Sequence, residues 1–175
     1  MELKDEFIFL RALEPSDLNT LYSWENDPLI WRISNTLVPF SRFTLEQYLL
    51  SNHSDIFSTH QVRLMVCLHT SEQVGTVELF DFDPLHRRAG IGILIQNEYR
   101  TKGYAKSALH LLCNYAYNTL LMKQLYCNIG SGNATSLALF KNMGFSEVGL
   151  KKSWNKLPNG SWEDEWLLQK IKIKE

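Results

Sequence analysis

Ile95-Gln96-Asn97-Glu98-Tyr99-Arg100-Thr101-Lys102-Gly103-Tyr104-Ala105 decides the fold, because here an apolar, β-prone run passes through a short loop straight into a helix. The run that feeds it, Ala89 to Ile95, reads as a strand. The segment after it, Gly103 to Leu120, has apolar positions at Ala105, Ala108, Leu109, Leu112, Tyr115 and Ala116, the spacing of a helix laid against a sheet. At such a junction successive backbone N–H groups converge, backed by the positive end of the helix dipole and flanked by Arg100 and Lys102. Gly103 and Ala105 keep the approach open, so a pyrophosphate fits the chemistry. Taken alone, the segment reads equally well as an ordinary strand-to-helix turn with a glycine at its bend.

Upstream, Phe7 to Leu13 predicts a strand, and Pro15-Ser16-Asp17 opens an amphipathic helix carrying Leu18, Leu21, Tyr22 and Trp24, stopped by Asn26-Asp27-Pro28. Leu29 to Arg42 has no clean period and reads as a loop or broken helix; Thr44 to Leu50 reads as a short helix. Val62 to Leu68 and Val74 to Phe82, joined by the polar turn Thr70-Ser71-Glu72-Gln73, predict an antiparallel hairpin. Downstream come a strand at Leu125 to Ile129 and a helix at Asn133 to Met143 closed by Gly144. Two last strands, Glu147 to Trp154 and Trp162 to Ile171, are joined at Pro158-Asn159-Gly160. Strands that meander first and then alternate with helices imply an α/β fold: a mixed, mostly antiparallel sheet of about six or seven strands with helices on both faces. There is no repeat and no linker, so residues 1–175 are expected to form one domain.

The chain has 175 residues, 45% hydrophobic and 12% aromatic, enough for one sizeable core. A formal charge of −1 spread along the chain gives no footprint for nucleic acid or an anionic membrane. Cys67, Cys113 and Cys127 are widely spaced among apolar neighbours, which predicts buried thiols and no metal site. No apolar run approaches the roughly 20 residues of a membrane span, and the start lacks the order of a signal peptide, so a cytoplasmic location is expected. The expected partner is a small molecule or a peptide, and the reading allows a homodimer.

The loop gains weight from a second motif one strand later: Asn133-Ala134-Thr135-Ser136-Leu137-Ala138-Leu139-Phe140-Lys141-Asn142-Met143-Gly144-Phe145. The pair resembles the GNAT family of N-acetyltransferases, whose cofactor loop has the pattern Gln/Arg-x-x-Gly-x-Gly/Ala and whose next helix begins with Asn and ends in Gly-Phe. Val77-Glu78-Leu79, His86-Arg87-Arg88-Ala89, Glu98-Tyr99 and Gly160-x-Trp162-x-Asp164 look like its spermidine and ribosomal-protein alanine acetyltransferase branch. The resemblance implies acetyl-CoA as co-substrate, with the backbone of Leu94, Ile95 and Gln96 along the pantetheine. It places Arg100, Thr101, Lys102, Gly103, Tyr104 and Ala105 around the pyrophosphate, and Asn133 and Phe140 beside the cofactor from the second helix. It also implies direct attack of a neutral amine, from a small molecule or a peptide N-terminus, on the thioester, with a backbone N–H of Ala89 to Ile95 stabilising the oxyanion.

Two departures from the family matter. Phe140 stands where many members have a tyrosine that protonates the thiolate, which leaves Ser136, Tyr104, Tyr126 or a water as substitutes. Gly90 stands where the branch often has a glutamate, so the remaining bases are Glu78, Asp81, Asp83 and His86. Gly90 and Gly92 leave one face of their strand bare, to be filled by a ligand or by an aromatic such as Trp154 or Trp162. The neutral Ser34-Asn35-Thr36-Leu37-Val38 lacks the acids with which spermidine-type members grip a polycation, and Trp24, Trp31 and Phe40 suit a neutral or partly apolar amine. The competing reading is a non-catalytic acetyl-CoA or nucleotide-binding module, although no Gly-x-x-x-x-Gly-Lys-Ser/Thr or Gly-x-Gly-x-x-Gly string is present.

Overall fold

The computed structural model describes residues 2–34, 36–51 and 55–173. Strand β1 (Ile8–Ala12) leads through a 3-10 turn at Pro15–Asp17 into helix α1 (Leu18–Glu25). Asn26-Asp27-Pro28 ends that helix and also starts the next, α2 (Pro28–Ser34). Asp27 Oδ1 accepts the Leu29 amide at 2.9 Å, and proline suits a first helical position because the N–H it lacks has no helical partner there. The broken-helix alternative for this stretch is therefore the one observed up to Ser34; Asn35 lies outside the described residues. Helix α3 (Arg42–Ser51) follows, then a single turn, α4 (Ile56–Thr59), that the periodicity did not indicate. Asp55 makes that turn by accepting the amides of Phe57 and Ser58.

The rest alternates as the sequence indicates: β2 (Val62–Leu68), β3 (Gln73–Asp83), β4 (Arg88–Ile95), α5 (Tyr104–Asn118), β5 (Gln124–Gly130), α6 (Ala134–Asn142), β6 (Ser146–Lys156) and β7 (Trp162–Ile171). One seven-stranded sheet results, in the order β1-β2-β3-β4-β5-β7-β6. Among the described residues its neighbours run antiparallel except β4 and β5, which are parallel because α5 carries the chain back between them.

Alternation along β2 distributes the core to both faces. Leu64 and Val66 point with Val77 and Leu79 towards Ala108, Leu109, Leu112 and Ala116 of α5 and Phe140 of α6. Met65 and Cys67 point the other way, against Leu21 of α1 and Leu49 of α3. Burying a leucine such as Leu109 or Leu112 contributes about 1.5–3 kcal/mol, so the apolar stripe of α5 is what fixes the angle of its N-terminus to the sheet.

The bare face at Gly90 and Gly92 is filled by neighbours on β3, which corrects the expectation of Trp154 or Trp162. A methyl group on Gly90 would stand 2.3 Å from the Phe80 ring, and one on Gly92 would stand 3.0 Å from Glu78 Oε1. Trp154 and Trp162 are exposed near the end of the β6–β7 hairpin instead. The reason is register: Phe80 pairs with Gly90 and Glu78 with Gly92, so their side chains fall on the same face, one strand away.

Candidate active site

The parallel pairing of β4 with β5 stops early. Arg88, Ala89 and Gly90 pair with Gln124, Leu125 and Tyr126; beyond that rung, among the described residues, β5 pairs with β7 alone. Ile91 to Ile95 therefore line one arm of a fork, with alternate backbone amides and carbonyls on that edge released from the ladder. The open end of the fork leads directly to the loop at the start of α5.

That loop is shaped for an anion. Thr101 has φ +62° and Gly103 has φ +88°, and α5 begins on Gly103. The amides of Tyr104, Ala105 and Lys106 belong to a first helical turn and have no helical acceptor, and no acceptor is found for those of Thr101, Lys102 and Gly103 among the described residues. A left-handed residue on either side of Lys102 gathers these amides into a concave nest. Gly103 faces open space, with nothing within 4 Å of the position a Cβ would take. The cations are held at the rim. Arg100 donates through Nε to the Ile95 carbonyl at 2.9 Å, and Lys102 Nζ stands 5.2 Å from the centroid of the Tyr99 ring. Tyr99 in turn donates to Glu72 at 2.5 Å, a hydrogen bond that, with that carboxylate's charge, pushes the phenol up to about 12.

All three backbone positions expected along the pantetheine already have partners: Leu94 pairs with Thr76 in the β3–β4 ladder, the Ile95 carbonyl takes Arg100, and the Gln96 amide donates to Val74 at 2.9 Å. Leu94 is half-buried. The Gln96 side chain adds a signal that spacing does not carry, because its Nε2 is buried without a hydrogen-bond partner among the described residues. On α6, Asn133 caps the helix by accepting the Ser136 amide at 3.1 Å, which leaves its Nδ2 free to donate. Phe140 is a core residue, edge-on to Phe145 with centroids 5.1 Å apart, and Ser136 lies one turn before it, half-buried.

Among the residues expected to do the chemistry, Glu78, His86 and Ser136 are not gathered in one place. Glu78 sits over Gly92 just beyond the point where the strands part, and accepts from Gln61 Nε2 at 2.9 Å. Beside it on β2, Arg63 is paired with the buried Glu25 at 2.5 Å. His86 is exposed in the β3–β4 turn, its amide donating to Asp83, at the end of β4 remote from the cofactor loop. Ser136 lies on the α5/α6 side of the sheet. Tyr126 occupies the fork itself, opposite Gly90, and donates to Asp81 at 2.9 Å. Burial, then that hydrogen bond and the carboxylate's charge, push its phenol up to about 12.

The model of the acetyltransferase (GNAT) domain family matches residues 8–146, most of the chain and both halves of the fork. The chain belongs to the GNAT acetyltransferases. Among curated relatives of this GNAT enzyme, the spermidine N(1)-acetyltransferase of Escherichia coli K12 is 29% identical over 144 residues, 80% of this chain and 73% of the relative. The spermidine N(1)-acetyltransferase of Vibrio cholerae is 27% identical over 143 residues, 80% of this chain and 79% of the relative. Among solved structures, spermidine N-acetyltransferase from Vibrio cholerae in complex with CoA and spermine superposes with a TM-score of 0.85 at 24% identity, covering 95% of this chain and 96% of that one.

Proposed function

We propose that this acetyltransferase binds acetyl-CoA with its pyrophosphate on the amides of Thr101 to Lys106 and its pantetheine between β4 and β5, and passes the acetyl group to a primary amine of a small molecule or a peptide N-terminus. The observation that carries the reading is continuity: strands that part after Gly90 open onto a nest of unpaired amides at a helix start. Arg100, Lys102 and Lys106 supply the charge that a diphosphate requires, and the orphaned Gln96 Nε2 gives the pantetheine a donor. The oxyanion formed on attack meets a strand-edge N–H of Ile91 to Ile95.

Direct transfer, with no acyl-enzyme, agrees with the state of the thiols. Burial pushes Cys113 up to about 11 and Cys127 up to about 12, and it raises Cys67 as well, so no cysteine is a ready nucleophile. Three buried free thiols also agree with a reducing, cytoplasmic setting. Of Glu78 and His86, Glu78 is the better placed to hold the acceptor's ammonium, since it overlies β4 at the fork while His86 lies at the far turn. An amine arriving from the α1/α3 side meets it beside Gln61.

Release of free CoA from acetyl-CoA, followed with a thiol reagent across amines, amino acids and peptides and including spermidine, tests this. Turnover with at least one primary amine is expected. Binding of acetyl-CoA without turnover of any amine would leave only a binding module.

A further inference from the structure

We propose that Tyr126 and Asp81 form a proton relay at the fork, taking a proton from the incoming ammonium and delivering it to solvent. This rests on the acetyl-transfer reading and assigns two residues within it.

Asp81 belongs to β3 and Tyr126 to β5, with β4 between them, yet their side chains meet at 2.9 Å. Two features bring them together. Gly90 has no side chain, so the Phe80 ring lies on β4 and contacts the Tyr126 ring edge-on, with centroids 6.0 Å apart. The second feature is a break in the β3–β4 register between Phe80 and Asp83. His60, at the end of α4, clamps this bulge by accepting the Phe82 amide at 3.0 Å with its carbonyl and placing Nδ1 2.7 Å from the Phe82 carbonyl. Held there, Asp81 has φ +48°, a left-handed conformation that costs a non-glycine residue about 1 kcal/mol or more. The strain turns its carboxylate across β4 while leaving it exposed to solvent.

Tyr126 sits on the last paired rung, where the fork begins, and its phenol reaches across β4 to Asp81 on the face from which the acceptor amine would approach. The phenol donates to Asp81 and keeps its lone pairs for an N–H of the acceptor. A proton moves from the ammonium nitrogen to Tyr126 Oη as the phenol proton moves to Asp81, which then loses it to water. The neutral nitrogen uses its freed electron pair to attack the carbonyl carbon; the C–S bond breaks and its electrons leave on sulfur. A second nitrogen proton passes through water to the thiolate, so one acetyl-CoA and one ammonium yield an amide, free CoA and one released proton.

Three single variants and a double variant test the relay with any amine the wild type accepts. Tyr126→Phe and Asp81→Asn are each expected to lower kcat about a hundredfold, with acetyl-CoA affinity unchanged, and the double variant is expected to be no slower than either single one. Asp81→Gly removes the carboxylate and also relieves the left-handed strain, so it is expected to melt no lower than the wild type and yet be as slow as Asp81→Asn. The deficit in all four should narrow as the pH is raised and free amine accumulates. Unchanged kcat in the single variants, or losses that multiply in the double variant, would overturn the relay while leaving acetyl transfer intact. A wild type that binds acetyl-CoA but acetylates no amine would overturn both.

Discussion

At Gly90 a methyl group has nowhere to go, because three atoms of the Phe80 ring lie within 2.7 Å of the Cβ position. Gly90→Ala is expected to destabilise the protein by about 1–3 kcal/mol, read by denaturant unfolding, through displacement of Phe80 and its contact with Tyr126. Gly103 is the opposite case, open on all sides but at φ +88°. Gly103→Asp and Gly103→Asn carry similar strain and similar bulk, so their difference isolates the charge. By calorimetric titration the aspartate variant is expected to bind acetyl-CoA at least tenfold more weakly than the asparagine variant. Equal affinities would move the diphosphate away from this nest. Glycine was legible at residue 103, where basic neighbours and a following helix give it a context, but at Gly90 the sequence could say only that a face was bare. Which side chain covers it depends on cross-strand register, and nothing local to Gly90 encodes that.

Among the elements, α6 depends on its cap. Asn133→Ala removes the acceptor of the Ser136 amide and is expected to cost about 1 kcal/mol in unfolding measurements, and acetyl-CoA affinity should fall as well if Nδ2 meets the pantetheine. The helices and hairpins were readable because their signals are local: Asn26-Asp27-Pro28 at a helix end, Asn133 at a cap, Gly144 at φ +84° beyond a helix end, Pro158-Asn159-Gly160 between two strands. The single turn α4 was missed, since Asp55 with two free amides is a weak signal in four residues. The fork was not legible either. Sequence marks where a strand begins and ends, whereas the rung at which two strands part is set by how α5 and α6 pack beneath them. Tyr126 and Asp81 were readable as separate candidates, and their pairing waited on a bulge clamped by His60.

Across the whole molecule, one buried carboxylate links β1, β3 and the start of α1. Asp17 is fully buried, accepts Arg11 at 2.7 and 2.8 Å, and also takes Gln73 Nε2 and the Glu14 amide. Burial alone would raise this carboxyl, but the Arg11 hydrogen bonds, the Glu14 amide and the Arg11 charge outweigh it and hold it below the usual carboxylate range. A depressed folded value means stability that is fully present above the unfolded value near 4 and is lost as the pH falls through the folded one. Thermal melting is therefore expected to fall in that acid window for the wild type and to be flatter there for Asp17→Asn, which starts lower. At neutral pH, acetyl-CoA at about a hundred times its dissociation constant should add about 2.7 kcal/mol, and ATP, which has no pantetheine for the fork, should add less.

The most direct measurement is a crystal structure of the protein grown with CoA. Diphosphate oxygens are expected within about 3.2 Å of several amides from Thr101 to Lys106, with the pantetheine arm between β4 and β5 beyond the Gly90–Tyr126 rung. A diphosphate bound elsewhere, or strands closed over that gap with CoA outside it, would contradict this placement.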